Sequence, residues 1–187
     1  WYGVAYLLGF LAAYWLGCRR LEQRTLITKT QFIDCIYWVM LGILVGGRMG
    51  YMLFYAFEVL RHNPLQILCI WQGGMSFHGG LIGGVCAICC FSWRHGCAFL
   101  ALTDLIAPLI PMGLFFGRAA NFINGELWGR VTDVPWAMIF PHVDVLPRHP
   151  SQLYEMLGEG LVLFLIMQCC VRRVQTRGMI SGVFLCF

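Results

Sequence analysis

Hydrophobic and polar residues fall in long blocks along this chain, not in the period-two alternation of a half-buried strand. Apolar runs approaching the roughly 20 residues a bilayer-crossing helix needs are separated by short polar stretches. The pattern predicts spans at Tyr2–Gly17, Phe32–Phe57, Gly74–Trp93, Leu102–Phe122 and Leu153–Val171, with a sixth beginning at Met179. The first run is short for a complete span. The chain opens at Trp1 without a Met and ends inside the apolar run Met179–Phe187, so it reads as truncated at both ends. No basic leader precedes a cleavage-type site. The expected fold is an all-α integral membrane protein, a multi-span helical bundle in a single transmembrane domain over 1–187. Residues 123–152 are expected to form a small head or loop segment within it.

Composition strengthens the membrane reading. Hydrophobic residues make up 59% of the chain and charged residues 12%, about half the charged share of an ordinary soluble domain. The net charge of +4 is modest, and no basic tract interleaved with aromatics points to nucleic acid. Ten cysteines are present. Six of them, Cys86, Cys89, Cys90, Cys169, Cys170 and Cys186, lie within apolar runs. Cys86 and Cys89 have metal-type spacing, but no second pair joins them. These thiols read as small hydrophobic filler and no metal site is expected.

Loop charges orient the bundle. Arg19, Arg20, Arg24, Lys29, Arg94, Arg172, Arg173 and Arg177 fall in one set of loops. Arg61, Arg130 and Arg148 fall in the other. Eight against three places loops 18–31, 94–101 and 172–178 in the cytoplasm by the positive-inside rule. Loops 58–73 and 123–152 then face outward.

Small residues at helical spacing predict close helix packing: Gly46, Gly47 and Gly50; Gly79, Gly80, Gly83 and Gly84; Gly113 and Gly117. Against this apolar background a few polar groups stand out, and ionisable residues at membrane depth usually face the protein interior and carry function. Trp1-Tyr2-Gly3 lies at an outer end, where an interfacial aromatic belt is an equal reading. Arg48 sits in the Gly46–Tyr51 segment, either pairing with a carboxylate such as Glu126 or Glu155 or reaching lipid. His78 lies where a glycine-rich loop enters span three. Asp104 and Pro108 read as helix-entry and kink features.

The richest stretch is Gly117-Arg118-Ala119-Ala120-Asn121-Phe122-Ile123-Asn124-Gly125-Glu126-Leu127-Trp128-Gly129-Arg130. If helical, Arg118, Asn121 and Asn124 share a face, and one arginine with two amides suits a phosphate. Gly125-Glu126 then turns the chain outward, and Glu126 could pair with Arg118 or another cation. Arg148–Glu155 adds a polar patch where the chain re-enters the membrane, with Ser151 as a helix cap or a catalytic group. Such a cationic, amide-rich pocket with a histidine suits displacement of a phosphate-bearing leaving group from a lipid. It also suits an anion transporter, although no inverted repeat of the transporter kind appears. A structural scaffold fits the polar cluster less well.

The chain resembles the prolipoprotein diacylglyceryl transferase family along nearly its whole length. The resemblance is carried by Trp1-Tyr2-Gly3, Gly46-Gly47-Arg48 through Tyr55, the Gly73–Gly83 block, Gly117–Arg130 and Leu146–Glu155. It implies an inner-membrane protein of about seven helices, five to six of them covered here, with its active site toward the periplasmic leaflet. It implies transfer of the diacylglyceryl group from phosphatidylglycerol to the lipobox cysteine of a preprolipoprotein signal peptide, among membrane lipids and without a cofactor. Tyr2, His78, Arg118, Asn121 and Glu126 match residues the family uses in catalysis. By the same resemblance, Arg118, Asn121 and Gly129 are expected at the phosphatidylglycerol site, and Arg48 is expected there from its place in span two. The family continues past the position of Phe187 with another pair of spans and a further essential arginine. The segment between Arg130 and Leu146 is short beside that of some relatives.

Overall fold

The computed structural model describes residues 1–21, 26–174 and 176–187; the side chains of Tyr2 and Gln72, and the loop charge Arg24, lie outside the description. The apolar blocks are helices: α1 (Tyr2–Leu21), α2 (Lys29–Phe54), the short α3 (Phe57–His62), α4 (Phe77–His95), α5 (Phe99–Ile106), α6 (Ile110–Asn124), α7 (Ser151–Glu155), α8 (Leu163–Arg173) and α9 (Met179–Cys186). Two 3₁₀ turns, Pro64–Leu68 and Ile70–Gln72, link α3 to α4. A 3₁₀ turn at Ala107–Leu109 joins α5 to α6, where Pro108 removes a backbone donor and bends the helix. A π-helical stretch, Met156–Val162, joins α7 to α8.

Among the described residues, three helical stretches are long and apolar enough to cross a membrane: Lys29–Phe54, Phe99–Asn124 and Ser151–Arg173. Helices α1 and α4 occupy two further expected spans, with 20 and 19 residues. Their outer faces carry apolar side chains in the open, including Leu7, Leu11, Ile82 and Trp93, as helices bathed in lipid do. Cys86, Cys89 and Cys90 on α4, Cys169 on α8 and Cys186 on α9 are exposed, whereas Cys35 is buried. The filler reading of the five as interior residues therefore gives way to outward-facing thiols.

The chain divides into two compact units, one of Thr25–Leu102 and one of Trp1–Arg24 with Thr103–Phe187. In the first, α2 and α4 run antiparallel with their backbones in contact. A Cβ on Gly46 would strike Gly79 O and lie 2.8 Å from Gly83 Cα, and one on Gly50 would lie 2.9 Å from Gly79 Cα. Gly42 belongs to the same seam, against Gly83. The α2 start is fixed by a capping box between Thr28 and Gln31. Gly96, at φ +63°, ends α4.

In the second unit α6 lies against α1 and against the π-helical stretch. A Cβ on Gly160 would come within 2.8 Å of Phe115 Cβ, so glycine allows that approach. A Cβ on Gly113 or Gly117 meets nothing within 4 Å, so the close packing expected at these two glycines does not rest on their own missing side chains. Ala107, Leu163, Met167 and Ile180 form a buried cluster. Beside it the buried Asp104 carboxylate accepts hydrogen bonds from Gly178 N at 2.6 Å and Ser181 N at 2.8 Å, capping α9 from another helix. Residues between α6 and α7 contain a two-stranded antiparallel pair, β1 (Met138–Ile139) and β2 (Pro147–Arg148), in register Met138↔Arg148.

Candidate active site

Arg118 lies two turns from the end of α6. Its Nη1 is 3.0 Å from Glu155 Oε2, and its Nη2 donates to Glu159 Oε2 at 3.3 Å. The two carboxylates stand four residues apart on one helical face, where i,i+4 side chains are neighbours, and the contact of Gly160 with Phe115 brings that face close to α6. One guanidinium thus meets two carboxylates, a local balance of one negative charge. One of its five donors makes a hydrogen bond, to Glu159, while Glu155 adds an ion pair, and the side chain keeps 26% of its surface exposed. An anion reaching Arg118 would therefore meet a cation already oriented but partly neutralised.

Asn121 follows one turn later on the same helix and is buried. Its carbonyl accepts from Gly125 N and, at 2.9 Å, from Glu126 N. Gly125 at φ +70° ends the helix in the left-handed conformation glycine favours. The helix that puts Arg118, Asn121 and Asn124 on one face is present, and it ends where Gly125-Glu126 turns the chain.

The turn that follows is held from below by α7. Ser151 Oγ donates to Leu127 O at 2.7 Å, and the fully buried Gln152 donates through Nε2 to Glu126 O. Leu127 takes φ +55°, costly for a branched-chain residue and sustained here by these bonds. Ser151 is consequently not the cap of α7; Pro150 takes that position without a side-chain bond. Gly129 N donates to His149 O at 2.9 Å, and a Cβ on Gly129 would lie 2.8 Å from that same oxygen. Only glycine fits there. Further out, the Arg148 guanidinium lies over Trp128 at 4.2 Å and pairs with Asp144 at 2.5 Å. The hydrogen bond from Arg148 holds the Asp144 carboxyl below its ordinary range, and the same bond pushes Arg148 upward. Tyr154 OH accepts from Trp136 Nε1 at 2.7 Å and lies 3.1 Å from His149 Nδ1.

His78 and Arg48 belong to the other compact unit. His78 is the second residue of α4, after the N-cap Ser76, whose Oγ accepts from Gly79 N at 3.2 Å. The imidazole is exposed and meets the Phe77 ring edge-on at 5.7 Å. Arg48 is buried, its guanidinium directed at main-chain carbonyls of residues 66–74. Tyr2 opens α1.

Sequence reasoning did not pair Arg118 with Glu155 or Glu159, and it missed Gln152. Two carboxylates four apart inside an apolar run were the available signal for the first. Gln152 gave none, because its partner is a main-chain oxygen. Among the described residues, no group of three or more His, Cys, Asp or Glu side chains could hold a metal ion.

A family model described as prolipoprotein diacylglyceryl transferase matches residues 1–187. A phosphatidylglycerol–prolipoprotein diacylglyceryl transferase of Pseudoalteromonas atlantica is 55% identical over 185 residues, covering 99% of this chain and 66% of that protein. Proteins of the same name from Legionella pneumophila (strain Lens) and Vibrio parahaemolyticus are 51% and 49% identical over 186 residues. This chain spans 73% and 68% of their lengths.

Proposed function

The chain belongs to the prolipoprotein diacylglyceryl transferase family, a family of transferases, and from that membership we propose that it acts on phosphatidylglycerol and a preprolipoprotein. In this reading a lipobox cysteine thiolate attacks the glyceryl carbon that bears the phosphate ester. The carbon–sulfur bond forms as the carbon–oxygen bond breaks. The electron pair leaves on the phosphate oxygen, giving a thioether-linked diacylglyceryl group and glycerol 1-phosphate. The reaction proceeds at the outer leaflet of the bacterial inner membrane. It needs no cofactor.

The leaving phosphate passes from a monoanion toward a dianion. A preorganised cation beside it stabilises the transition state more than the ground state. Arg118 supplies that cation, with Asn121 one turn away. Glu155 and Glu159 hold the guanidinium in place until the lipid phosphate engages its remaining donors. Glu126 and Gly129 shape the turn over the phosphate, and Tyr2 orients the head group. His78 takes the thiol proton, since a free cysteine of pKa about 8.5 is mostly protonated at neutral pH. The observation that carries this reading is the match over all 187 residues, which includes the whole Gly117–Arg130 block. The transporter alternative has no comparable support.

The test is diacylglyceryl transfer from labelled phosphatidylglycerol to a lipobox peptide by the full-length protein. Arg118→Ala is expected to lose about 10²–10³-fold in rate, as for removal of one transition-state donor. His78→Gln is expected to lose about 10²–10⁴-fold, as for a general base. Transfer surviving His78→Gln alone would retire the histidine as base and keep the enzyme. Transfer surviving Arg118→Ala would remove the arginine from the mechanism.

A further inference from the structure

Arg48 is a buried cation in the last two turns of the apolar helix α2, and its environment is unusual in one respect. Nε donates to Ile67 O at 3.1 Å, Nη1 to Gly73 O at 2.5 Å and Gly74 O at 3.2 Å, and Nη2 to Gln66 O at 2.6 Å. Four of its five donors are engaged by main-chain oxygens of one loop. That leaves little capacity for a lipid phosphate.

The loop is built to present those oxygens. Gly73 and Gly74 both take positive φ, +80° and +78°, a conformation open to glycine at no steric cost. Gly74 also lies under the Tyr51 ring, where a Cβ would come within 2.5 Å of Tyr51 Cζ. One residue before Arg48, Gly47 O accepts from Ser76 N at 2.8 Å. Ser76 is the N-cap of α4, and His78 follows two residues later. The surface of α2 formed by Gly47, Arg48 and Tyr51 therefore sets the path of the chain from Gln66 to the start of α4.

We propose that Arg48 is a positioning residue: its guanidinium gathers the carbonyls of the 66–74 loop and thereby fixes His78 at the entry to α4. Lysine could not replace it, because a compact ammonium cannot span carbonyls from two separate parts of a loop. The inference rests on the transferase reading for the meaning of His78 and not for the loop geometry.

The test compares wild type, Arg48→Ala, Arg48→Lys and Gly74→Ala in the full-length protein. It measures kcat and KM for phosphatidylglycerol, and amide hydrogen exchange along the chain. Gly74→Ala disturbs the same loop from the acceptor side while leaving the arginine itself in the chain, and it carries the test if Arg48→Ala does not fold. The expected result is a kcat loss of about 10²-fold in both alanine variants, the scale of a misplaced reacting group. KM for phosphatidylglycerol should stay within about twofold, because uniform binding is not removed. Exchange should rise in residues 66–76 and stay unchanged in α6 and α8, with Arg48→Lys close to Arg48→Ala. A tenfold or larger rise in KM for phosphatidylglycerol in Arg48→Ala, absent from Gly74→Ala, would overturn the proposal in favour of a lipid ligand. Unchanged exchange across 66–76 in both alanine variants would also overturn it. If wild type itself transfers nothing, the transferase reading fails, and the exchange arm still decides whether Arg48 holds the loop.

Discussion

Arginine serves several roles here, each set by what its planar fork of donors meets. Arg48 faces carbonyls and organises a loop. Arg118 faces two carboxylates and remains partly exposed. Arg20, buried near the end of α1, donates to Gln168 Oε1 at 3.1 Å and to Leu105 O at 3.4 Å, tying three helices of one unit together. Arg148 pairs with Asp144 outside the spans, and that pair responds to pH. The folded Asp144 carboxyl titrates below its ordinary range because Arg148 donates to its charged form. A depressed folded pKa stabilises the fold above the unfolded pKa, and the gain is lost as pH falls through the folded value. Asp144→Asn is therefore expected to lower Tm slightly at pH 6, by the small amount typical of exposed pairs. The difference from wild type should shrink as pH drops below about 4, the ordinary carboxylate value, and vanish beneath the depressed one. A gap that persists undiminished at pH 3 would show that the aspartate acts through something other than its charge.

At the scale of elements, the seam between α2 and α4 is the most sensitive packing feature. Gly42, Gly46 and Gly50 on one helix face Gly79 and Gly83 on the other, and the obstacle to any added Cβ is backbone, which cannot rotate away. Gly79→Ala must push the helices apart, and overpacking of this kind costs about 1–3 kcal/mol. Gly113→Ala, where a Cβ meets open space, should stay within about 0.5 kcal/mol of wild type. Reversible denaturation in detergent would separate the two; equal stability would mean the seam tolerates separation. The helix positions were legible in the sequence because the apolar runs declare helices by their length, and three of the helical stretches among the described residues are long and apolar enough to cross a membrane. The seam, extended by Gly42 four residues before Gly46, was legible in part, through the spacing of Gly46, Gly50, Gly79 and Gly83. The π-helical stretch was not, since Leu157–Val162 reads as ordinary apolar helix. Glu155 and Glu159 lie inside the expected span Leu153–Val171 and were not matched to Arg118, because the partner lies on a helix some forty residues earlier. The loop around Arg48 was hidden for a different reason: its acceptors are main-chain oxygens, which every residue carries.

At the scale of the whole molecule, loop charge predicts which ends of these helices face which side of the membrane. One of the loop charges is not free to act as such. Arg20 is buried and hydrogen-bonded, so it does not act as a free surface charge. Removing it still leaves the loops after α1, α4 and α8 with most of the Lys and Arg. The positive-inside rule then predicts that residues 123–152, with Arg118 one helical turn or two below them, face outward, and that 172–178 face the cytoplasm. Thiol labelling in intact cells tests this directly. Val145, 82% exposed between the short strands, and Arg177, exposed before α9, are the sites to convert. In a cysteine-depleted full-length protein, Val145→Cys should react with a membrane-impermeant maleimide added to cells with a permeabilised outer membrane. Arg177→Cys should react only after the inner membrane is opened. The reverse pattern would invert the topology and place the Arg118 site on the cytoplasmic leaflet. A lipobox cysteine presented from the periplasmic side could not reach it there, so the labelling bears on the proposed substrate as well as on the orientation.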